Sequence, residues 1–253
     1  MPLSLSRLGR LIVSLVLPVC AACAHSTPSP AEHGAHEAHS GGAHHGAMPH
    51  RFENAEEWAR RFENPERDAW QQPDAVVTAL SLKPDAKVAD VGAGTGYFAV
   101  RLARAVPHGR VYGVDIEPDM VRYLGERARR EGLANLTAVQ AEPHDAKLPE
   151  PVDLVLVVDT YHHIGERVAY FQGLRTKLAP GGRLAIIDYR KESPRGPPPK
   201  HKLAPEQVEA ELKAAGYRRV ASHGFLPDQY FLVFEPAQAL GVSSCTEWVR
   251  SHS

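Results

Sequence analysis

The sequence predicts an α/β fold built on a doubly wound, mostly parallel sheet of seven strands, preceded by an N-terminal helical cap. Short β-rich runs alternate with helical segments, which favours parallel strands joined by right-handed crossovers. The run at 154–158 is wholly apolar, as expected for a strand that is covered on both faces. A glycine-rich turn follows the first run and precedes a helix, which is typical of a ligand-binding α/β sheet.

Length and composition agree with one or two ordinary globular domains. The chain has 253 residues, of which 43% are apolar and 23% are charged, close to average usage. This composition excludes a wholly disordered protein, a coiled coil and a multi-span membrane protein. The 29 basic and 30 acidic residues leave a formal charge of −1. That balance predicts no nucleic-acid partner, because nucleic-acid-binding surfaces are strongly basic.

The first residues of the chain are predicted to direct it out of the cytoplasm. Residues 1–24 resemble an export signal, with two arginines, an apolar core at 11–19 and small residues at the end. They also resemble a bacterial lipoprotein signal, in which Cys23 would be lipidated and would anchor the protein to a membrane. A mis-called start codon is the alternative, and it would leave the protein cytoplasmic.

Residues 25–50 are predicted to be a disordered linker rich in histidine. Seven of the fourteen histidines lie here among Gly, Ala, Ser and Pro, and there is little apolar surface to bury. One interpretation is a flexible tether, and the other is a tract that binds metal ions. No spacing in this segment matches a structural zinc site, so no metal ligands are assigned.

A helical cap is predicted over residues 51–80. The segment contains an echo, RFENAE at 51–56 and RFENPE at 61–66, in which Asn54 and Asn64 each suit a helix start. An apolar face recurs at helical spacing through Ala55, Trp58, Ala59 and Phe62. The helices are expected either to cover the mouth of a pocket or simply to pack at the end of the sheet.

The strands and helices of the main domain follow the cap. Strand runs are predicted at 87–91, 110–115, 136–140, 153–159, 183–188, 218–223 and 229–235. Helices are predicted near 97–106, 118–131, 166–178 and 205–215. Four prolines predict that nothing regular lies between Tyr189 and Leu203. The folded domain is therefore expected to span 51–236, with a tail at 237–253.

The glycine-rich turn is the most informative segment. Gly92, Gly94 and Gly96 permit positive φ angles and let a ligand approach the backbone closely. The helix after them offers free N–H groups and the positive end of its dipole. Asp115 ends the second strand nineteen residues after Gly96. An acid at that place can accept hydrogen bonds from both hydroxyls of an adenosine ribose.

The spacing of the turn differs from the dinucleotide fingerprint. That fingerprint would place its third glycine at 97, where Tyr97 stands. Asp90 precedes the turn, and a carboxylate there suits an amino or sulfonium cation better than a pyrophosphate. The turn therefore favours an adenosine ligand that carries a cation over a dinucleotide.

Four segments together resemble the motifs of class I S-adenosylmethionine (SAM)-dependent methyltransferases. They are VADVGAGTG at 88–96, VYGVDIEPDMV at 111–121, DLVLVVDTYHHI at 153–164 and LAPGGRLAIID at 178–188. The likeness is to methyltransferases of type 11/25, the group that includes the ubiquinone/menaquinone-type C-methylases, and it covers about 87–190 well. It implies a Rossmann-like sheet, SAM as the cofactor, and contact between the cofactor and both Asp90 and the three glycines.

The resemblance also implies roles for residues outside the turn. Asp115 would bind the ribose, and Ile116 would lie against the adenine. Asp145 or Glu142, after the third strand, would meet the adenine amino group, with Asp145 assigned first and a solvated loop carboxylate as the alternative. Asp159, at the end of the fourth strand, is assigned to the cofactor and is also a candidate for the chemistry.

Methyl transfer from a sulfonium is an in-line displacement, in which the position of the acceptor accounts for much of the rate. A base is needed only where the acceptor carries a proton as it attacks. His162 and His163 follow the fourth strand, at the edge where open α/β sheets bind ligands, and histidine titrates near neutral pH. We expect them to be catalytic or to position the acceptor. The alternative is that they pack against or cap the next helix.

The acceptor is expected to be a small or lipid-like molecule, with 196–203 as either its lid or a rigid proline linker. Two other functions compete with methyl transfer. A nucleotide-dependent oxidoreductase is disfavoured by the glycine spacing. An exported, non-catalytic protein of the same fold, with a metal-binding histidine tract, is favoured by the leader, because SAM is made in the cytoplasm. The acceptor atom and the oligomeric state are not predicted.

Overall fold

The computed structural model describes residues 54–238. The helices are α1 (Ala55–Phe62), α2 (Glu66–Gln71), α3 (Pro73–Ala79), α4 (Ala99–Ala105), α5 (Pro118–Arg130), α6 (Arg167–Arg175) and α7 (Pro205–Ala214). The strands are β1 (Lys87–Val91), β2 (Arg110–Asp115), β3 (Leu136–Gln140), β4 (Val152–Val158), β5 (Leu178–Tyr189), β6 (Tyr217–His223) and β7 (Gln229–Pro236). The expected signal and linker, residues 51–53 and residues 239–253 lie outside the described residues.

The seven strands form one sheet in the order β3-β2-β1-β4-β5-β7-β6. The first five strands are parallel, and β7 is antiparallel to both of its neighbours. The chain runs outward from β1 through β2 to β3 and then returns to β4 beside β1. The predicted doubly wound, mostly parallel sheet is thus confirmed. The reversal opens a crevice at the carboxyl ends of β1 and β4, where such sheets bind ligands.

The apolar run of β4 explains why helices cover both faces of the sheet. Leu154 and Leu156 are buried in the core on one face. Val155 and Val157 are buried in the core on the other face. Because side chains alternate along a strand, a strand that is apolar at every position must be covered on both sides. The crevice therefore has a rigid base.

The cap consists of α1, α2 and α3. Helix α1 begins directly after Asn54, the residue from which the sequence predicts a helix start. Asn54 itself makes no side-chain cap and adopts a left-handed backbone with φ 65°. The first helical N–H, that of Ala55, instead donates to Asp119 Oδ2 at 2.6 Å. The helix is therefore capped by a side chain from α5 and not by its own sequence.

The cap lies over the glycine-rich turn. The Phe62 ring is 3.5 Å from the place where a Cβ on Gly94 would stand. Tyr97, just after the turn, donates a hydrogen bond to Asp68 of α2, and Arg101 pairs with the same carboxylate at 3.1 Å. Of the two arrangements expected from the sequence, these contacts favour the cap that covers a binding crevice.

Two local features differ from the sequence predictions. Strand β5 begins at Leu178, five residues early, because a bulge opposite β4 takes up the expected Pro-Gly-Gly turn. Pro199–His201 form a 3-10 turn in the segment expected to be irregular, since proline fits the first position of a helical turn.

No helix within residues 54–238 has the length and apolar character needed to cross a bilayer.

Candidate functional site

The glycine-rich turn follows the carboxyl end of β1 and packs against the carboxyl end of β4. Gly92 has φ 78°, and a Cβ there would stand 2.1 Å from Thr160 Oγ1. Gly96 has φ 97°, and a Cβ there would stand 2.4 Å from Leu124 of α5. Neither place admits a side chain, so both glycines are required for packing as well as for backbone conformation. At Gly94, with φ 53°, a Cβ would meet only the Phe62 ring at ordinary contact distance, so backbone conformation rather than packing favours glycine here.

Asp115 ties the turn to the end of β2. Its Oδ2 accepts a hydrogen bond from Gly94 N at 2.8 Å, and its Oδ1 accepts one from Glu117 N at 2.9 Å. Burial raises the pKa of Asp115, although these backbone N–H groups oppose the shift. Each carboxylate oxygen retains a second lone pair. The carboxylate is therefore held in place and can still accept hydrogen bonds from a diol.

The surroundings of Asp115 fit an adenosine. Ile116 is 49% exposed, more than the other large apolar side chains of the described residues, and its backbone carbonyl accepts from Gln140 at 2.6 Å. An exposed apolar side chain beside a fixed carboxylate matches a base beside a ribose. The observed residues thus fit the nucleoside part of the cofactor that the sequence implies.

Asp90 is a buried acid at the base of the turn, in β1. Burial and the nearby charge of Asp115 raise the pKa of Asp90 to about 7, while Arg67 opposes the shift. A carboxyl group with this pKa titrates near neutral pH. A cation placed beside Asp90 would favour the ionised form, which agrees with the expectation that a cationic part of the ligand lies here.

Asp159 lies just after β4, and its backbone has the left-handed conformation, with φ 53°. Its carboxylate accepts hydrogen bonds from Gln229 Nε2 and from the Tyr189 hydroxyl, the latter at 3.3 Å. Arg67 Nη2 of the cap is 3.5 Å from Oδ2. Burial raises the pKa of Asp159 to about 6, although the charge of Arg67 opposes this. Since Thr160 packs on Gly92, Asp159 borders the glycine-rich turn.

His162 and Asp188 form a buried pair beside Asp159. The two residues lie in a 3-10 turn, Tyr161–His163, and at the end of β5. His162 Nδ1 is 2.9 Å from both oxygens of Asp188, and His162 N donates to Oδ2 at 3.3 Å. Burial opposes a charged imidazole, but the hydrogen bond and the charge of Asp188 outweigh it and raise the pKa of His162. The pair fixes the orientation of the imidazole, and Nε2 is the ring nitrogen that Asp188 does not bind.

His163 is half-buried, and its ring lies against that of His162 at an interplanar angle of 39°, with ring centroids 4.2 Å apart. The 3-10 turn that carries both histidines precedes α6, and neither histidine is the residue before that helix. Neither histidine therefore caps α6, whereas the burial of His162 agrees with the alternative that it packs there. The hydrogen bond to Asp188 is also compatible with a general base held by a carboxylate, and this role stays a prediction.

The Asp145 carboxylate is bonded within its own loop. Its Oδ1 accepts from Lys147 N at 2.8 Å, and this bond lowers the pKa of Asp145. Glu142, its competitor, is exposed and pairs with Lys147 Nζ at 3.0 Å. The start of this loop does reach the site, because Ala141 N donates to Asp115 O at 2.8 Å. An adenine contact from either carboxylate stays a prediction.

Sequence reasoning missed several polar residues of the site, namely Arg67, Gln71, Asp188, Tyr189 and Gln229. A signal for Asp188 was present, because an acid ends the apolar run of β5, as acids follow β2 and β4. The two glutamines carry no such signal, since neither lies in a motif. Within residues 54–238, no group of three or more His, Cys, Asp or Glu side chains is arranged to hold a metal ion.

A family model described as a methyltransferase domain matches residues 82–230. An erythromycin 3''-O-methyltransferase of Saccharopolyspora erythraea is 33% identical over 137 residues, which cover 51% of this chain and 44% of that protein. A ubiquinone/menaquinone biosynthesis C-methyltransferase of Pasteurella multocida is 31% identical over 108 residues, or 42% of this chain and 40% of that protein. The chain thus spans less than half the length of these two relatives.

A solved structure agrees with these similarities in sequence. The crystal structure of a SAM-dependent methyltransferase from Aquifex aeolicus is 28% identical and superposes with a TM-score of 0.66. The match covers 70% of this chain and 96% of that protein. The similarity therefore extends over almost the whole of that solved protein.

Proposed function

The chain belongs to the methyltransferase domain family, and on that premise we propose that it transfers a methyl group from SAM to a small-molecule or lipid-like acceptor. One observation carries the proposal. The Asp115 carboxylate is held by Gly94 N at 2.8 Å, beside an exposed Ile116 and the glycine-rich turn. This arrangement has the donors, acceptors and apolar surface that an adenosine requires.

The cofactor end of the proposed site uses residues around the turn. Asp115 accepts the ribose hydroxyls, and Ile116 covers one face of the base. Gly94 lets the ligand approach the backbone, and Asp90 lies where a cation offsets its charge. When bound, SAM supplies a methyl group on a sulfonium, which is the electrophile of the reaction.

The acceptor end of the proposed site uses the residues after β4 and β5. Asp188 holds His162 through Nδ1 at 2.9 Å, so Nε2 is the nitrogen that takes a proton from the acceptor as it attacks. His163 lies against His162 and orients the acceptor. Replacing either histidine with alanine should lower turnover with an identified acceptor and leave SAM affinity intact. Unchanged turnover in both variants would contradict these roles.

The first test is thermal unfolding of the full chain with and without S-adenosylhomocysteine (SAH), the demethylated product. Ligand at about 100 times its Kd stabilises a protein by about 2.7 kcal/mol. For a domain of this size that raises Tm by roughly 5–10 °C. NAD is the matched control and should give no rise. A folded protein whose Tm responds to neither SAM nor SAH would contradict the proposal.

We also propose that residues 1–24 export the protein or anchor it to a membrane, with Cys23 as the lipidated residue. The support is the sequence pattern of a basic region, an apolar core and small residues. Fractionation of cells that express the full chain and a Cys23→Ser variant tests this. Wild-type protein in the membrane fraction, together with Cys23→Ser protein outside it, would agree with lipidation. Recovery of both proteins with the cytoplasm would contradict export and anchoring.

A further inference from the structure

Four polar side chains form a closed ring between the cap and the carboxyl end of β4. Arg67 Nε donates to Gln71 Oε1 at 2.9 Å, and Gln71 Nε2 donates to Gln229 Oε1 at 2.8 Å. Gln229 Nε2 donates to Asp159 Oδ1. The ion pair between Arg67 Nη2 and Asp159 Oδ2, at 3.5 Å, closes the ring. The ring links α2, β7 and the end of β4.

The chemistry of its members gives the ring a direction. Arginine can only donate hydrogen bonds, and an ionised carboxylate can only accept them. Each amide between them therefore has a single orientation, with oxygen towards Arg67 and nitrogen towards Asp159. Gln71 and Gln229 are both 0% exposed. A buried amide that loses its hydrogen-bond partner destabilises the folded state, so each glutamine depends on the other as a partner.

The ring explains how Asp159 keeps an unfavourable backbone conformation. A non-glycine residue with positive φ costs about 1 kcal/mol or more and persists where its surroundings fix it. Asp159 has φ 53°, and its carboxylate is held on one oxygen by Gln229 and on the other by Arg67. Two of the four members, Arg67 and Gln71, belong to α2 of the cap. The position of Asp159 thus depends on a seated cap.

We infer that Gln71 and Gln229 are positioning residues, which, with Arg67, hold the Asp159 carboxylate beside the glycine-rich turn as long as the cap is seated. This inference rests on the proposed function. A fixed carboxylate at the border of the turn attracts a sulfonium cation more than the neutral thioether that remains after methyl transfer. The ring should therefore favour the binding of SAM over SAH.

The test is calorimetric titration of the full chain and its Gln229→Leu variant with SAM and with SAH. Leucine has a similar size and removes both amide links at once. We expect SAM binding to weaken about tenfold, a loss of about 1.4 kcal/mol, and SAH binding to weaken less than about threefold. An Asp159→Asn variant, which removes the charge itself, should lose the same preference for SAM.

Gln72→Leu is the matched control. Gln72 is the next residue of the cap, and its Nε2 donates to Phe225 O at 3.1 Å, which is a cap-to-body hydrogen bond outside the ring. We expect less than a twofold change for either ligand. If Gln229→Leu fails to fold, the double variant Gln71→Leu/Gln229→Leu replaces both amides with apolar groups and avoids an unpaired one.

The outcomes separate the inference from the proposed function. Equal weakening of SAM and SAH in Gln229→Leu would mean that the ring is merely structural, and this would overturn the inference. Unchanged affinities for both ligands would overturn it as well. A folded wild-type chain that binds neither SAM nor SAH would overturn the proposed function, and the inference with it.

Discussion

The two ends of the crevice are built in different ways. At the end of β1 and β2, a backbone turn with glycines at positive φ holds the side chains of the site, and one of its N–H groups donates to Asp115. At the end of β4 and β5, it is made of buried side chains that meet from distant parts of the chain. Gln71 and Gln229, for example, are 158 residues apart.

This difference indicates which end can vary. A backbone turn with no room for a Cβ accepts few substitutions, whereas a cluster of side chains can be rebuilt one residue at a time. A site that holds the nucleoside of a constant cofactor at the first end can thus be adapted to different acceptors at the second. The following predictions test this division, in order of their expected effect on cofactor binding.

The largest effect is expected from Gly92→Ala. The added methyl group would stand 2.1 Å from Thr160 Oγ1, so the turn must shift away from β4. We expect a loss of about 2–4 kcal/mol in the free energy of unfolding and SAH affinity reduced by more than about 100-fold. Chemical unfolding measures the change in stability, and calorimetry measures the change in SAH affinity.

Gly132→Ala is the control for Gly92→Ala. Gly132 also has positive φ, at 68°, but nothing lies within 4 Å of a Cβ there. This variant should show only the backbone strain, about 1 kcal/mol, and bind SAH as wild type does. Normal SAH binding by Gly92→Ala would mean that the close approach of β1 and β4 does not shape the cofactor site.

The next effect is expected from Asp115→Asn. The amide cannot accept on both atoms, so either Gly94 N or Glu117 N would lose its acceptor. Since a hydrogen bond to a charged group contributes about 1.5–3 kcal/mol, the Kd of SAH should rise about 10- to 100-fold. Asp153→Asn is the control, because Asp153 also accepts from a backbone N–H, that of Lys87 at 2.8 Å. Equal Kd values in both variants would contradict the role of Asp115.

Asp90→Asn should weaken SAM binding only several-fold, yet stabilise the protein without ligand. The pKa of Asp90 is about 7 in the folded state, above that of an unfolded aspartate, so the folded state binds more protons between pH 4 and 7. Stability therefore falls as pH rises through this range. The variant lacks this loss. The free energy of unfolding of the variant, relative to that of the wild type, should therefore rise with pH by up to about 1.4 kcal/mol per pH unit. Urea unfolding at pH 4 to 8 measures this difference. Parallel plots of stability against pH for the variant and the wild type would contradict the prediction.

The smallest effect on the cofactor is expected from His162→Gln, which belongs to the second end. SAH affinity should not change. The folded-state pKa of His162 is raised, so the stability from its pair with Asp188 is present below pH 6.5 and is lost as pH rises through that pKa. The substitution should cost about 1–2 kcal/mol at pH 6 and less at pH 9. His108→Gln, at an exposed position, should change stability by less than about 0.5 kcal/mol at either pH.

The same division explains what could be predicted from the sequence. The cofactor end lies within 27 consecutive residues, Asp90 to Ile116, and its glycines and acids occur at fixed offsets from strands that the pattern predicts. The seven strands were predicted within one residue at most ends, because apolar alternation and flanking turns mark them. Only β5 began more than one residue earlier than predicted, owing to a bulge that no residue pattern indicates.

The second end was predicted only in part. His162 and Asp159 follow β4 directly and could be named from that position. Their partners could not, because the contacts of Gln229 and Arg67 depend on how the cap and β7 meet in space. Glutamine and arginine are common on surfaces, and nothing in one sequence marks a buried pair. Packing between distant segments, rather than local pattern, determines this end.

The hydrogen bond from Ala55 N to Asp119 has a consequence for the order of folding. Helix α1 has eight residues, too few to be stable in isolation, and its capping carboxylate lies 64 residues further along the chain. Helix α1 leaves the ribosome before α5, yet it lacks its capping carboxylate until α5 has been made. An early part of the folded domain is therefore completed late, and the amide protons of α1 should exchange with solvent sooner than those of the central strands.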